Sequence, residues 1–255
     1  MEILLGVLLP FLGTTIGASF VFFMKNTFNK NLERLIFGFT SGVMIAASVW
    51  SLIIPSIEMA TKLKILSWWP ASLGFLLGII FLLFADKIVQ KYIPESSNKG
   101  LSFKENMMLF LSVTLHNIPE GMAVGVVFAG LISNNVSVSF LGALTLSFGI
   151  AIQNIPEGAI ISMPQRSNGL TKAKAFLYGV FSGIVEPIAA IITILLVDYI
   201  TPILPYLLSF SAGSMIYVVI EELVPKTKEN SDSKLGIIGF SIGFLIMMIL
   251  DVSLK

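Results

Sequence analysis

The sequence of 255 residues lacks cysteine, has a single histidine and contains only 12% charged residues. Without cysteine, disulfides, thiolate metal sites and cysteine nucleophiles are excluded. One histidine cannot build the paired-histidine zinc motif of metalloproteases. A soluble domain carries about 25% charged residues, whereas this chain is 55% hydrophobic, with a mean hydropathy of +0.91. The composition therefore excludes an ordinary soluble domain and indicates a membrane protein.

Eight apolar runs are separated by short polar stretches, and each is near the ~20 residues that cross a hydrocarbon core. Backbone polar groups in lipid must pair within the chain, so such runs form helices. We therefore predict an all-α integral membrane protein with a single transmembrane domain over residues 1–255. The predicted spans are 3–24, 35–57, 71–89, 107–132, 138–162, 173–197, 202–222 and 235–252.

The basic residues lie mostly in alternate loops, and 13 of the 16 fall on one predicted side. Basic loops face the cytoplasm, so both termini are expected outside. The longest cytoplasmic loop is predicted over about 93–106, with a flexible Pro-Glu-Ser-Ser stretch. The residues on the cytoplasmic side are Lys25, Lys30, Arg34, Lys87, Lys91, Lys99, Lys104, Arg166, Lys172, Lys174, Lys226, Lys228 and Lys234. Those on the other side are Lys62, Lys64 and Lys255.

Three segments recur along the chain, in pairs that join the fourth span to the fifth, the second to the seventh and the third to the eighth. The pairs are 116–121 with 153–158, 39–45 with 210–216, and 74–78 with 239–243. The first pair is identical at five of six positions. Paired spans run in opposite directions, and inverted repeats are typical of transporters that bind their substrate near the membrane midplane.

Three acids lie inside predicted spans, and each is next to a proline: Glu120, Glu157 and Glu186. Ionisable residues at this depth are costly and are candidates for function. At 100° per residue, His116 lies about 40° to one side of Glu120 and Asn117 about 60° to the other. Gln153 and Asn154 flank Glu157 in the same way. Glu120 and Glu157 therefore each have a neutral ligand on both sides, and the spacing permits two adjacent metal sites.

The candidate ligands are imidazole, carboxylate and amide groups, which suit Zn²⁺ and neighbouring first-row ions. Met44 is a weaker thioether candidate, although methionine is more often core filler. Taken singly, the histidine could merely join two helices by a hydrogen bond, and a Pro-Glu pair could mark a kink. The duplication of the whole pattern favours a cation site. Pro119 and Pro156 would each free a carbonyl beside the ligands.

The motifs His-Asn-Ile-Pro-Glu-Gly at 116–121 and Gln-Asn-Ile-Pro-Glu-Gly at 153–158 resemble the paired signature of the ZIP (Zrt/Irt-like) divalent metal transporter family, in its prokaryotic form. Further similarity lies at 183–187 and 221–225, and together with the span count it covers essentially the whole chain. The resemblance implies eight helices in a 3+2+3 arrangement with inverted outer triplets. The groups are about 3–89, 107–162 and 173–252.

The resemblance also implies a two-metal centre halfway across the membrane. One ion would be held by His116, Glu120, Gln153 and Glu157, with Met44 nearby. The other would be held by Asn117, Glu120, Asn154, Glu157 and Glu186. Gln153 stands where many members have histidine, which is expected to weaken one site. The predicted loop over 93–106 lacks the histidines that many members carry there.

From the family we expect a secondary transporter, with no enzyme activity and no catalytic cofactor, that takes divalent metal into the cytoplasm by alternating access. Zn²⁺ is the foremost substrate, with Cd²⁺, Fe²⁺, Mn²⁺ and Co²⁺ as others. We expect a homodimer in the cell membrane, with lipid and metal ions but no nucleic acid as partners. The alternatives are a passive channel with the same ligands, an intramembrane metallohydrolase and a sodium-coupled carrier of organic anions.

Overall fold

The computed structural model of the chain describes residues 2–24, 30–92, 100–133, 140–196, 199, 201–228 and 233–253. All regular structure in these residues is helical, which confirms the predicted all-α class. In chain order the α-helices are α1 (Glu2–Ser19), α2 (Lys30–Ala47), α3 (Ile54–Lys62), α4 (Trp68–Tyr92), α5 (Gly100–Ser133), α6 (Phe140–Ser167), α7 (Lys172–Gly183), α8 (Val185–Leu195), α9 (Leu204–Val218), α10 (Val224–Lys228) and α11 (Leu235–Ser253).

Six helical segments of the described chain are long and apolar enough to cross a membrane: Ile3–Phe22, Lys30–Lys62, Trp68–Ile88, Lys172–Leu195, Leu204–Lys228 and Leu235–Ser253. Their outer faces are apolar. On α11, Leu245 and Ile249 are 51% and 55% exposed. Contiguous apolar surface of this kind is rare on water-soluble proteins. The chain is therefore a multi-pass membrane protein.

The predicted spans and the observed helices differ mainly at their ends. The prediction that residues 93–106 form a loop is wrong for its second half, because α5 begins at Gly100. Likewise α6 continues to Ser167, five residues beyond the predicted end. Hydropathy marks where the lipid ends, whereas helical hydrogen bonding continues into water. Of the predicted spans and basic loop residues, residues 93–99, 138–139, Lys25, Val197 and Lys255 lie outside the described residues.

Two of the predicted spans contain a π-helical segment in their C-terminal part. Ser48–Ile53 joins α2 to α3, and Val219–Leu223 joins α9 to α10. In each case the second residue after the π segment is a proline, Pro55 or Pro225. A proline ring clashes with the carbonyl four residues earlier, and that carbonyl lies inside the π segment. A π turn is a known way for a helix to bend around such a block without ending.

The sixth predicted span is broken where Pro187 requires it. α7 ends at Gly183 and α8 begins at Val185, so the helix restarts after Ile184. Gly183 is four residues before Pro187, and its carbonyl is the one that the proline ring would strike. Pro187 then sits in the first turn of α8, where its missing N–H costs nothing. Glu186 is thereby placed at the start of a helix in the middle of the span.

Equivalent contacts pack α2 on α11 and α4 on α9. A Cβ atom on Gly42 would lie 2.1 Å from the carbonyl oxygen of Phe240. Gly213 stands in the same relation to Phe75, also at 2.1 Å. A second matched set joins Gly243 to Phe39 and Gly78 to Phe210. These residues are the repeat partners identified in the sequence, and small residues of this kind let membrane helices approach closely.

The remaining helices form the surroundings of the predicted site. α1 packs on α6, α5 packs on α8, and α5 and α6 contact each other. α7 contacts both α1 and α6. The predicted site residues on α5, α6 and α8 therefore lie on helices that touch.

We expect Gly42→Ala to lower the melting temperature of the protein in detergent, because the added methyl meets a backbone carbonyl that cannot move alone. Overpacking of this kind costs about 1–3 kcal/mol. Gly149→Ala is the control, since its Cβ would have 3.6 Å to the nearest atom, in Met247. Replacing a helical glycine by alanine without a clash should leave the melting temperature unchanged or raise it. Equal melting temperatures for the two variants would contradict this account of the packing.

Candidate metal-binding site

The three glutamates singled out in the sequence are all buried in the helix bundle. Glu120 is 1% exposed, Glu157 is 2% exposed and Glu186 is fully buried. α5 and α6 run through Pro119 and Pro156 without interruption, so each glutamate projects from a continuous helix. A buried carboxylate is tolerated only where hydrogen-bond donors or cations compensate for the water it has lost.

Gln153 joins the carboxylates of two helices. Its Nε2 atom donates to Glu120 Oε1 at 2.5 Å and to Glu157 Oε1 at 3.3 Å. The two carboxylate oxygens therefore lie within about 6 Å of each other, the sum of the two distances. At that separation two like charges repel by on the order of 3 kcal/mol if the effective dielectric constant is about 20. A group with positive character between them relieves this repulsion.

A second group of polar side chains surrounds Glu186. Asn154 Nδ2 donates to Glu186 Oε2 at 2.8 Å, and Thr14 Oγ1 donates to Glu186 Oε1 at 3.0 Å. Asn154 follows Gln153 directly in α6, so the two groups adjoin. Gln153 thus contacts Glu120 and Glu157, its neighbour Asn154 contacts Glu186, and the three carboxylates lie in one polar region.

Two amide oxygens in this region lack a hydrogen-bond donor within the described part of the structure. They are Asn117 Oδ1 and Asn154 Oδ1, both on fully buried side chains. Each amide nitrogen is used, since Asn117 Nδ2 donates to the carbonyl of Ser182 at 3.0 Å and Asn154 donates to Glu186. A buried acceptor without a donor costs about 1–3 kcal/mol. Carbonyl oxygens of this kind are suitable ligands for a cation.

The glycine that ends each repeated motif explains how the helices come so close. A Cβ on Gly121 would lie 2.2 Å from the carbonyl oxygen of Glu186. A Cβ on Gly158 would lie 2.0 Å from the carbonyl oxygen of Thr14. Glu120 and Glu157 are thus each followed directly by a glycine. Because that glycine has no side chain, a neighbouring helix can pack closely beside the glutamate. The duplicated motif encodes both a carboxylate and the contact that buries it.

The two remaining predicted ligands, His116 and Met44, have no described contact with the carboxylates. His116 is on α5, but its side chain lies outside the described residues. Met44 is buried on α2 in an apolar cluster with Met215 and Ala123, and Ala123 is three residues after Glu120. Within the described residues, no three histidine, aspartate or glutamate side chains form one compact metal cluster. A cation centre here would have to use amide oxygens as well.

The sequence did not single out Thr14, the residue of α1 that donates to Glu186. It also did not predict that α1 takes part in the site. The available signal was the Gly-Thr-Thr-Ile-Gly segment within an otherwise apolar helix. Gly13 and Gly17 mark the face that packs against α6, where added Cβ atoms would meet the carbonyls of Ala151 and Ile155. Thr14 lies between these glycines, and its side chain reaches Glu186 on the adjacent α8.

We expect Thr14→Val to lower the melting temperature, because valine has the same shape but cannot donate to Glu186. A hydrogen bond to a charged group contributes about 1.5–3 kcal/mol. Thr15→Val is the matched control, since the Thr15 hydroxyl has no hydrogen-bond partner among the described residues. Thermal unfolding in detergent measures both variants. If Thr15→Val were as destabilised as Thr14→Val, the hydrogen bond to Glu186 would not be the cause.

Comparison with known proteins relates this chain to transporters. The sequence model of the family described as ZIP Zinc transporter matches residues 101–251. Zinc transporter ZIP11 of Xenopus tropicalis is 33% identical over an alignment of 329 residues, gaps included. The alignment covers 100% of this chain and 97% of the relative. Zinc transporter ZupT of Streptococcus mutans is 34% identical, over 93% of this chain and 92% of the relative.

A third relative, Zinc transporter ZIPB of Bordetella bronchiseptica, is 32% identical, over 98% of this chain and 80% of the relative. The family match includes both repeated motifs and the helices that carry the three buried glutamates. The similarity therefore extends over the site as well as the apolar helices. The chain belongs to the ZIP zinc transporter family.

Proposed function

We propose that this protein is a secondary transporter that moves divalent metal ions, with Zn²⁺ foremost, across the cell membrane into the cytoplasm. The observation that carries the proposal is the set of oxygen atoms buried together at the site. Three carboxylates adjoin two amide oxygens that have no donor among the described residues. Such a set stabilises a divalent cation and repels an anion. The names of the relatives, which are zinc transporters, support the choice of metal.

In this proposal two ions bind side by side. Gln153, Glu120 and Glu157 hold one ion together with His116, and Met44 lies nearby. Asn117, Asn154 and Glu186 hold the other, and share Glu120 and Glu157 with the first. Imidazole, carboxylate and amide oxygen are ligands that Zn²⁺ and similar ions accept. Cd²⁺, Fe²⁺, Mn²⁺ and Co²⁺ fit the same ligands and are expected to compete.

The architecture proposed for transport has eight spans in a 3+2+3 arrangement. α5 and α6, with 34 and 28 residues, are long enough to cross the membrane and would join the six apolar segments as the central pair. The equivalent glycine contacts of α2 with α11 and of α4 with α9 support an inverted repeat of the outer helices. Both termini would lie outside, and alternating access would deliver the ions to the basic cytoplasmic side. The protein would act as a homodimer.

We expect Glu120→Ala and Glu157→Ala to reduce the uptake of ⁶⁵Zn by cells to background. Each removes a carboxylate that both proposed ions share, whereas the protein should still reach the membrane. Surface labelling measures the amount of protein at the membrane. Glu58→Ala is the control, because Glu58 is an exposed glutamate on α3. Undiminished ⁶⁵Zn uptake by either site variant would exclude the proposed site.

The passive channel is tested in proteoliposomes loaded with unlabelled Zn²⁺. A transporter that alternates between two states exchanges ions, so internal Zn²⁺ should speed the entry of ⁶⁵Zn. With the membrane potential held at zero, internal Zn²⁺ would not accelerate entry through a channel. Acceleration by internal metal would therefore support alternating access, and its absence in an active preparation would favour the channel.

A further inference from the structure

We propose that Gln153 is a positioning residue that holds Glu120 and Glu157 together whenever no cation lies between them. It thereby allows the transporter, once it has released its ions inside, to change back to the state that is open to the outside. The inference rests on the proposed function and concerns a different step of the cycle. It assigns the amide two alternating tasks. Its nitrogen serves the carboxylates without metal, and its oxygen serves the metal.

The direction of the amide is the first observation. Gln153 Nε2 donates to Glu120 Oε1 on α5 and to Glu157 Oε1 on its own helix. An amide nitrogen has two hydrogens, so one side chain can serve both carboxylates at once. Gln153 itself is buried, at 1% exposure. The N–H₂ group therefore lies within hydrogen-bond distance of both carboxylates.

The Gln153 amide cannot donate to the two carboxylates and bind the metal at the same time. A cation bound by Glu120 and Glu157 would be repelled by the N–H₂ group and attracted by the amide oxygen. Loading therefore requires Gln153 to rotate about its terminal bond by half a turn, and unloading allows the reverse. Asn154 and Asn117 differ, since their nitrogens donate to Glu186 and to the Ser182 carbonyl while their oxygens have no donor among the described residues. The oxygens of those two amides are therefore not used by a donor among the described residues.

The consequence concerns the step in which the transporter returns without metal. In that step the carboxylates of Glu120 and Glu157 lie close together with no ion to offset their repulsion. The Gln153 amide supplies partial positive charge to both, and it does so without the ion. Net uptake requires this return in every cycle. Exchange of internal for external metal does not, because the transporter returns loaded.

The test compares net ⁶⁵Zn uptake with Zn²⁺/⁶⁵Zn exchange in proteoliposomes that contain Gln153→Met. Methionine keeps the length of the side chain and a weak ligand atom, but it has no N–H group. We expect exchange to fall because a ligand is altered, and net uptake to fall further, so that their ratio rises about tenfold, the rate effect of ~1.4 kcal/mol. Gln165→Met is the matched control, a buried glutamine on the same helix outside the site, and should leave the ratio unchanged.

Three results would overturn the inference. Net uptake and exchange that fall by the same factor would make Gln153 a ligand or a structural residue only, and an unchanged ratio with undiminished rates would give it no role. A ratio that rises equally in Gln165→Met would indicate a general effect of altering α6. If Gln153→Met does not fold, Gln153→Leu also lacks the donor and is expected to raise the ratio. Absence of both activities in the unaltered protein would instead refute the proposed function.

Discussion

Carboxylates buried away from water are the constraint to which the rest of this structure responds. Glu120, Glu157 and Glu186 are at most 2% exposed, and unpaired charges at such depth are expensive. Neutral amides and a hydroxyl donate to them from neighbouring positions and from other helices. Neutral donors reduce the cost of burial without cancelling the negative charge, so the site retains an attraction for a cation.

The donors can reach the carboxylates only because the helices lie unusually close. Gly121 and Gly158 let the main chains at Glu186 and Thr14 approach the helices that carry the repeated motifs. Bulkier residues would move α8 and α1 outward and leave the glutamates without partners. The same device operates away from the site, where Gly42 and Gly213 make equivalent contacts in two different helix pairs. In lipid, where apolar contact between helices gains little over contact with lipid, close packing of this kind replaces the hydrophobic effect as the main force between helices.

Proline is accommodated in three different ways in the described helices. Pro119 and Pro156 are contained in continuous helices beside the site. Pro55 and Pro225 follow π segments at equivalent positions of the repeat. Pro187 begins a new helix after a break. The ring has the same two effects throughout, a missing N–H and a clash four residues back, and the helices accommodate them in different ways.

The sequence by itself determined the helical class, the apolar segments, the internal repeats and the identity of the buried carboxylates, because composition and spacing record which residues face lipid and which do not. It also predicted that Gln153 and Asn154 flank Glu157, since neighbours on a helix have known angles. It could not predict that Thr14 donates to Glu186, that α5 begins at Gly100, or which side of the Gln153 amide faces the glutamates. Those features depend on contacts between residues distant in the chain, and only the tertiary structure, through the close approach of helices at glycines, decided them.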